Sequence, residues 1–536
     1  MRLATAVDPS AAPRERTAPY AWYVLGVLVL VYAVNFVDRN ILSILAEDIK
    51  RDLRLDDTQL GFLYGTSFAV FYALFGIPFG RLADSWYRGR LMALGLGFWS
   101  SMTALSGLAG NYAQLAGARI GVGIGEASAS PAAYSLISDH FRPERRGLAL
   151  SIYTSGLYIG GGVAMPIGSF IASGWNAAAA RGEAPLALAG WQVAFLGVGF
   201  PGLVLALWVL SLREPMRGAA EGRAEPVARP GAWASFGEEL LAIVPPLTLW
   251  GAARRRGGLL RNLLLLAVVA TGAGFLILVT GDVAQWLAYA LGTYAVGSWV
   301  QALRSRDPAV HRLIWGTRTV MLAVVAFGSV SFVTYAAGFW GAPYALRTFY
   351  DGPEAPARFF SALTARQEVS LTSIANVLAQ IAGVVGGGWL SDRWRARDPR
   401  GRIAVIALSA TLHVLVLWFV YTTGELLFFF VAAWIGCLVS SMFVGACVAT
   451  LQDLVLPRMR GTVGATYLLG ATMVGLALGP YYTGKVAAVT GSLAAGVLAL
   501  SAMLPITLAL LWLVARDLAQ TERTRYARAA AAGEFG

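Results

Sequence analysis

Four charged residues of this chain stand inside apolar runs, where charge is expensive. Asn35-Phe36-Val37-Asp38-Arg39-Asn40 interrupts one run, and Arg119-Ile-Gly-Val-Gly123-Ile-Gly125-Glu126 interrupts another. Burying one ionised group at mid-bilayer costs about 2.5–3.5 kcal/mol on insertion scales, so such groups are expected to have partners. Asp38 and Arg119 each fall about 10 Å inside the outer boundary of their predicted helices, at the helical rise per residue. Equal depth makes an ion pair feasible. Glu126 follows Arg119 by nearly two turns, on the same helix face and deeper by about 10 Å. Burial raises a carboxyl pKa and a neighbouring cation lowers it, so a carboxylate that alternates between wet and dry surroundings can take up and release a proton. Two readings stand: Glu126 exchanges a proton, or Asp38 and Arg119 form a fixed strut while Glu126 bonds a neighbour. Arg39 is left to snorkel or cap the outer helix end, without an assigned role.

The elements that carry these groups follow from composition. With 536 residues, 57% apolar and 13% charged, and a mean hydropathy of +0.61, the chain is too apolar for an ordinary soluble protein. Runs long enough to span a bilayer predict twelve core helices near 22–45, 58–79, 90–110, 112–138, 147–173, 189–212, 316–341, 366–390, 402–422, 425–452, 462–488 and 492–515. Two more, near 260–281 and 283–303, lie between the sixth and seventh. The net charge of +12 does not point to nucleic acid, because the arginines gather in short loops: Arg81, Arg88 and Arg90 in one, Arg142, Arg145 and Arg146 in another. Arg2, Arg14 and Arg16 precede the first span. By the positive-inside rule both termini are expected in the cytoplasm. The two cysteines, Cys437 and Cys447, share one predicted span and point to different faces, which argues against a disulfide or a thiolate metal site. The first run lacks a small-residue cleavage site and reads as a retained helix. Arginine so outnumbers lysine (Lys50 and Lys485) that a GC-rich bacterial genome is expected, and with it the inner membrane.

The chain also repeats itself. Gly80-Arg-Leu-Ala-Asp84-Ser-Trp-Tyr-Arg88-Gly-Arg90 has an echo in Gly388-Trp-Leu-Ser-Asp392-Arg393-Trp-Arg-Ala-Arg397, and Arg146-Gly147 and Pro166 recur as Arg460-Gly461 and Pro480. A duplicated basic hairpin in an apolar chain is a mark of secondary transporters. One reading makes the hairpin an inner gate: Gly80 and Gly388 let helices meet, Asp84 and Asp392 attract a neighbouring helix N-terminus, and Arg88, Arg90 and Arg393 bridge to acidic loops. The other makes its arginines purely topogenic. Small residues crowd the fifth span (Gly156, Gly160, Pro166) and the eleventh (Gly479, Pro480), as contact helices between the halves would require; ordinary small-residue packing is the alternative. Trp233, Phe236, Leu240, Leu241 and Val244 recur at helical spacing around Glu238 and Glu239, either on the membrane surface or packed under the bundle. The hairpin near 260–303, with Asp282 at its tip, reads as peripheral. Arg318, Asn376, Gln380, His413 and Lys485 contact substrate or satisfy a neighbour. Phe68, Phe71, Tyr72, Phe332, Tyr335, Phe339 and Trp340 suit an amphipathic cavity or a packing surface equally. No zinc spacing, phosphate loop or nucleophile elbow occurs, so neither an enzyme nor a cofactor or metal is expected.

The repeated hairpin, Arg119-xxx-Gly123-x-Gly125 and the Gly/Pro-rich fifth and eleventh spans together resemble the major facilitator superfamily. Asn35-Phe-x-Asp38-Arg39, Gly123-Ile-Gly125-Glu126-Ala127-Ser128, Phe141-x-Pro143-x-x-Arg146-Gly147 and Glu214-Pro215-x-Arg217-Gly218 are similar to its spinster-like branch. That resemblance implies an all-α membrane protein of two pseudo-symmetric six-helix bundles, and the inserted hairpin read from the apolar runs brings the expectation to about fourteen spans. The expected divisions are a tail 1–21, a bundle 22–213, a linker 214–258, the hairpin 259–303, a bundle 304–518 and a tail 519–536. It also implies Asp38 and Arg119 as a switching pair and Glu126 as a protonation or substrate site. Ser85, Tyr87 and the extra hairpin depart from the family pattern. The expected activity is proton-coupled alternating-access export of a lysolipid-like or amphipathic small molecule by a monomer. A proton-linked importer of a sugar acid or organic anion is the first alternative, and a membrane receptor that binds without transporting is the second.

Overall fold

The computed structural model describes residues 19–218, 220, 226–228, 230–255, 257–350, 360 and 362–534. The tail arginines Arg2, Arg14 and Arg16 lie outside them. The elements are helices throughout. The first six spans are Pro19–Leu53, Asp57–Ala83, Arg88–Ser106, a fourth in two pieces (Tyr112–Glu126 and Ala129–His140), Pro143–Ala180 and Gly190–Leu210. Helices Ala232–Ile243 and Leu247–Ala253 form the linker, and Gly258–Thr280 with Val283–Arg306 forms the hairpin. The seventh to twelfth spans are Arg318–Phe349, Ala365–Arg395, Gly401–Thr422, Leu426–Asp453, Pro457–Thr490 and Leu493–Arg523. Eleven of these segments are long and apolar enough to cross a membrane. The third span, the divided fourth and the second hairpin helix fall short of that measure.

Local chemistry sets the ends. Asp56 accepts from the Gln59 backbone N–H while the Gln59 side chain returns to the Asp56 N–H, a capping box that starts the second span. Thr364 and Gln367 repeat it at the eighth. Gly281 (φ +77) and Gly491 (φ +70) end the first hairpin helix and the eleventh span in the left-handed region. The first span runs to Leu53 rather than to about residue 45, because the charges beyond Leu45 stay helical and are paired: Asp48 with Arg51 at 3.2 Å and with Arg366 at 2.6 Å. Asp38 is therefore farther from its helix end than expected.

We call the end bearing residues 47–57, 340–366 and 484–492 the outer end. One apolar cluster runs through the first bundle and on into the outer parts of the second, including Phe332, Phe339, Trp340, Phe349, Tyr421 and Leu476. A separate cluster fills the inner part of the second bundle alone, with Val320, Phe327, Ile406, Phe443 and Leu511. The halves are thus fused at the outer end and distinct at the inner one. Ion pairs follow the same division. Arg347 clasps Asp57 through two bonds of 2.8 Å and Glu47 through one of 2.9 Å, and Thr66 Oγ1 donates to Ala477 O at 2.6 Å. Among the described residues these bonds between the halves gather at the outer end.

Candidate functional site

Consecutive residues of a helix point about 100° apart, and this separates Asp38 from Arg39. Arg39 turns toward the fourth span, where its Nη2 donates to Glu126 Oε2 at 2.7 Å. The guanidinium lies over the rings of Phe68 (4.4 Å), Phe36 (4.7 Å) and Tyr72 (5.1 Å). A planar cation among aromatic faces keeps favourable contacts that a dry site would otherwise deny it. Asp38 is fully buried, among the groups of Arg119, Glu126, Trp99 and Thr103. Trp99 and Thr103 stand within reach of its carboxylate, but no hydrogen bond of standard geometry reaches either oxygen, nor Arg119 Nη2 or Glu126 Oε1. The expected Asp38–Arg119 ion pair is not formed. Arg119 Nη1 donates instead to the backbone carbonyl of Asp38 at 3.2 Å, and its Nε to that of Leu63 at 3.5 Å. Asp38, Arg119 and Glu126 do share one buried cluster, and Arg39 is the member that the sequence left without a role.

Glycines bring the fourth span close enough. A Cβ on Gly123 would stand 2.5 Å from the Phe68 carbonyl of the second span, and one on Gly125 would stand 2.7 Å from Trp99 Cβ of the third. Around the cluster lie tyrosines from both halves. Tyr32 and Tyr153 stack at 4.5 Å, with Tyr134 edge-on to Tyr153 at 5.6 Å. Tyr335 of the seventh span faces Arg39 and Tyr72 from the other half. The aromatic candidates therefore divide: Tyr72 and Tyr335 are partly exposed beside Arg39, whereas Phe68, Phe332, Phe339 and Trp340 are packed. His413 is buried at a small void with Ser329 and Thr507. Among the described residues no group of His, Cys, Asp and Glu could hold a metal, and both cysteines are free.

A family profile described as the Major Facilitator Superfamily matches residues 28–349. The chain belongs to the Major Facilitator Superfamily. Along its length this major facilitator is 29% identical over 471 residues to an MFS-type efflux pump of Mycolicibacterium smegmatis, covering 87% of this chain and 84% of that one. It is 31% identical over 190 residues to a probable L-galactonate transporter of Escherichia coli, covering 35% of this chain and 39% of that one. Its fold resembles a bacterial homolog of the human lysosomal transporter Spinster, crystallised in an inward-facing and occupied conformation, at a TM-score of 0.64 and 22% identity over 96% of this chain and 99% of that one. The protein is an integral membrane transporter of spinster-like resemblance.

In this major facilitator the repeated hairpins do not join the halves. Arg88 is fully buried and holds its own bundle together: Nε donates to Glu214 at 2.7 Å, Nη2 to the Pro215 carbonyl at 2.7 Å, and Nη1 forms an ion pair with Asp139. Arg217 secures the start of the linker to Ala83 O at 2.8 Å and Trp86 O at 2.7 Å, and Asp84 lies in its field. Arg90 stacks on Tyr87 and Arg393 on Trp389. Asp392 meets Arg402 of its own bundle at 3.3 Å. Gly80 and Gly388, expected at close helix contacts, face open space. It is Gly387 that touches the tenth span, with a Cβ position 2.2 Å from Met442 O. Among the described residues none of these hairpin contacts crosses between the halves.

The interface glycines also sort differently from expectation. Gly156 and Gly160 pack on Val29, Ala33 and Phe36 of the first span, within their own bundle, and Gly479 packs on Phe332 within the other. The contact between halves falls to Gly162 against Val377, and to Pro480 against Gly61. Pro166 lies inside the continuous fifth helix. The signal for the outer clasp, an acid-rich connection at 47–57 opposite Arg347 and Arg366, was present in the sequence but unassigned.

Proposed function

We propose that the chain is a proton-coupled, alternating-access exporter of an amphipathic, lysolipid-like small molecule, with Glu126 as the coupling carboxylate. The observation that carries this reading is the buried Arg39–Glu126 ion pair among phenylalanine and tyrosine rings. Protonating Glu126 removes the charge that holds Arg39, and a buried cation without its partner is strongly disfavoured. The halves then rearrange to give Arg39 water or an anionic headgroup, while the surrounding rings suit an apolar tail. Asp38, whose buried carboxylate makes no ion pair and no hydrogen bond of standard geometry, is a second group able to carry the proton. Each pH unit of gradient supplies about 1.36 kcal/mol to such a cycle. Both termini are taken to lie in the cytoplasm and the protein to act as a monomer in a bacterial inner membrane.

In proteoliposomes with an imposed pH gradient, Glu126→Gln is expected to lower gradient-driven transport at least tenfold in protein that still folds, though with a lower unfolding temperature because Arg39 loses its countercharge. Coupling equal to that of the parent protein would eliminate the assignment. A second reading, import of a sugar acid with protons, is favoured by the likeness to the L-galactonate transporter and by two buried arginines that could hold a carboxylate. Proton uptake or release on adding each substrate class separates the two.

A further inference from the structure

We infer that the inserted hairpin is a diagonal strap across the two halves, and that Asp282, Lys485 and Tyr481 form the latch that must open before the outer end can part. The inference rests on the alternating-access reading. The hairpin was expected to be peripheral, and its first helix is almost unburied. Its tip is not peripheral. Lys485 Nζ of the eleventh span lies 2.9 Å from Asp282 Oδ2 and donates to the Thr280 carbonyl at 2.6 Å. Tyr481 Oη donates to the same carboxylate at 2.7 Å, and Trp286 sits edge-on to the Tyr481 ring at 5.5 Å. Both partners belong to the second bundle.

The other end is fixed to the first bundle through the linker, and there the chain also runs on at Asp307 into the second bundle. Arg306 pairs with Glu239 of the linker at 2.7 Å, and Thr248, Tyr294, Asn262 and Ser298 form a buried hydrogen-bonded chain that locks linker and hairpin together. The linker helix in turn lies on the inner end of the second span, Phe236 against Phe79 and Trp233 against Trp86. Leu74, Ile243 and Ala295 complete that contact. Midway, Gly292 lies on the seam itself, its Cβ position 2.7 Å from Val70 of the second span and 2.9 Å from Met473 of the eleventh.

A strap held by the first bundle at its base and by the second at its tip cannot follow both when they rock apart. One attachment must yield. The base has a buried hydrogen-bonded chain beside its Arg306–Glu239 pair, whereas at the tip the charged side chains of Lys485 and Asp282 are 29% and 22% exposed, with the Tyr481 and Thr280 hydrogen bonds beside them. Water can replace the tip contacts far more readily than the base. One turn from Asp282, Gln285 is 2% exposed with neither amide atom partnered, an amide left unsatisfied in the latched state. Release of the tip would let it find water or a new partner.

The test measures distances between spin labels at Glu183 and Thr423, on the outer loops of the two halves, in protein whose Cys437 and Cys447 are replaced by alanine. Asp282→Asn and Lys485→Met are each expected to raise the long-distance population at least threefold over the parent. The swapped pair D282K/K485D should return it toward the parent value, which a merely structural defect would not do. Unchanged distributions in both single variants, or a swap that fails to restore, would overturn the latch. A parent protein that never populates the longer distance at any pH would sink alternating access itself, and this inference with it.

Discussion

At the scale of single residues, the site is defined by what each charge lacks. Arg39 and Glu126 satisfy one another at 2.7 Å with side chains 10% and 0% exposed, so removing one leaves the other charged and dry. Breaking a buried pair in this way costs about 3–5 kcal/mol. Arg39→Ala is therefore expected to lower the unfolding temperature in detergent clearly, and the double variant R39A/E126A to recover part of the loss; additive losses in the double-mutant cycle would show the pair to be uncoupled. Three members of this cluster, Asp38, Arg119 and Glu126, were legible in the sequence because an ionised group in an apolar helix is conspicuous. Their pairing was not. Equal depth suggested Asp38 for Arg119, but depth is one coordinate of a cylinder and azimuth is another. The azimuth of the first span places Arg39 against the fourth, and a helix end misjudged by eight residues hid how deep Asp38 sits.

At the scale of elements, small residues mark where helices meet, and the sequence shows them without saying which neighbour they meet. Gly387 and Gly388 are adjacent, yet only at Gly387 would an added Cβ meet the neighbouring helix. Gly387→Leu is expected to abolish correct folding, seen as loss of a monodisperse peak in size-exclusion chromatography, while Gly388→Leu, whose Cβ faces open space, is tolerated. Equal tolerance at both positions would contradict the observed packing of the eighth and tenth spans. The same ambiguity explains Gly156 and Gly160, which look like seam residues and pack instead on the first span of their own bundle. A helix with small residues on several faces offers several contacts, and only the assembled bundle selects among them. The repeated motif told the class of the protein and the side of its basic loops; it did not tell that its arginines brace each bundle separately.

At the scale of the whole molecule, the state is set by which end carries the cross-bracing. The apolar core is continuous between the halves only toward the outer end, and there Arg347 reaches across to Glu47 and Asp57. A bidentate guanidinium pair gives direction as well as attraction, so it favours one docking of the halves over neighbouring ones. Beneath it, Ser43 Oγ donates to the Phe339 carbonyl at 2.6 Å across the same seam and is 2% exposed. A cysteine at position 43 therefore reports on outer opening, because it reacts with a membrane-impermeant thiol reagent added outside only when the seam parts. Arg347→Gln removes the clasp but leaves the apolar contacts beneath it, so the outer end should open more often without the fold being lost. In Ser43→Cys protein reconstituted in liposomes, the labelling rate is expected to rise about tenfold on adding Arg347→Gln, the change that a shift of about 1.4 kcal/mol in the opening equilibrium produces. An unaltered rate would mean that the apolar seam and the Arg366–Asp48 pair hold the outer end without Arg347, and that Glu47 and Asp57 serve the folding of the first span rather than the cycle.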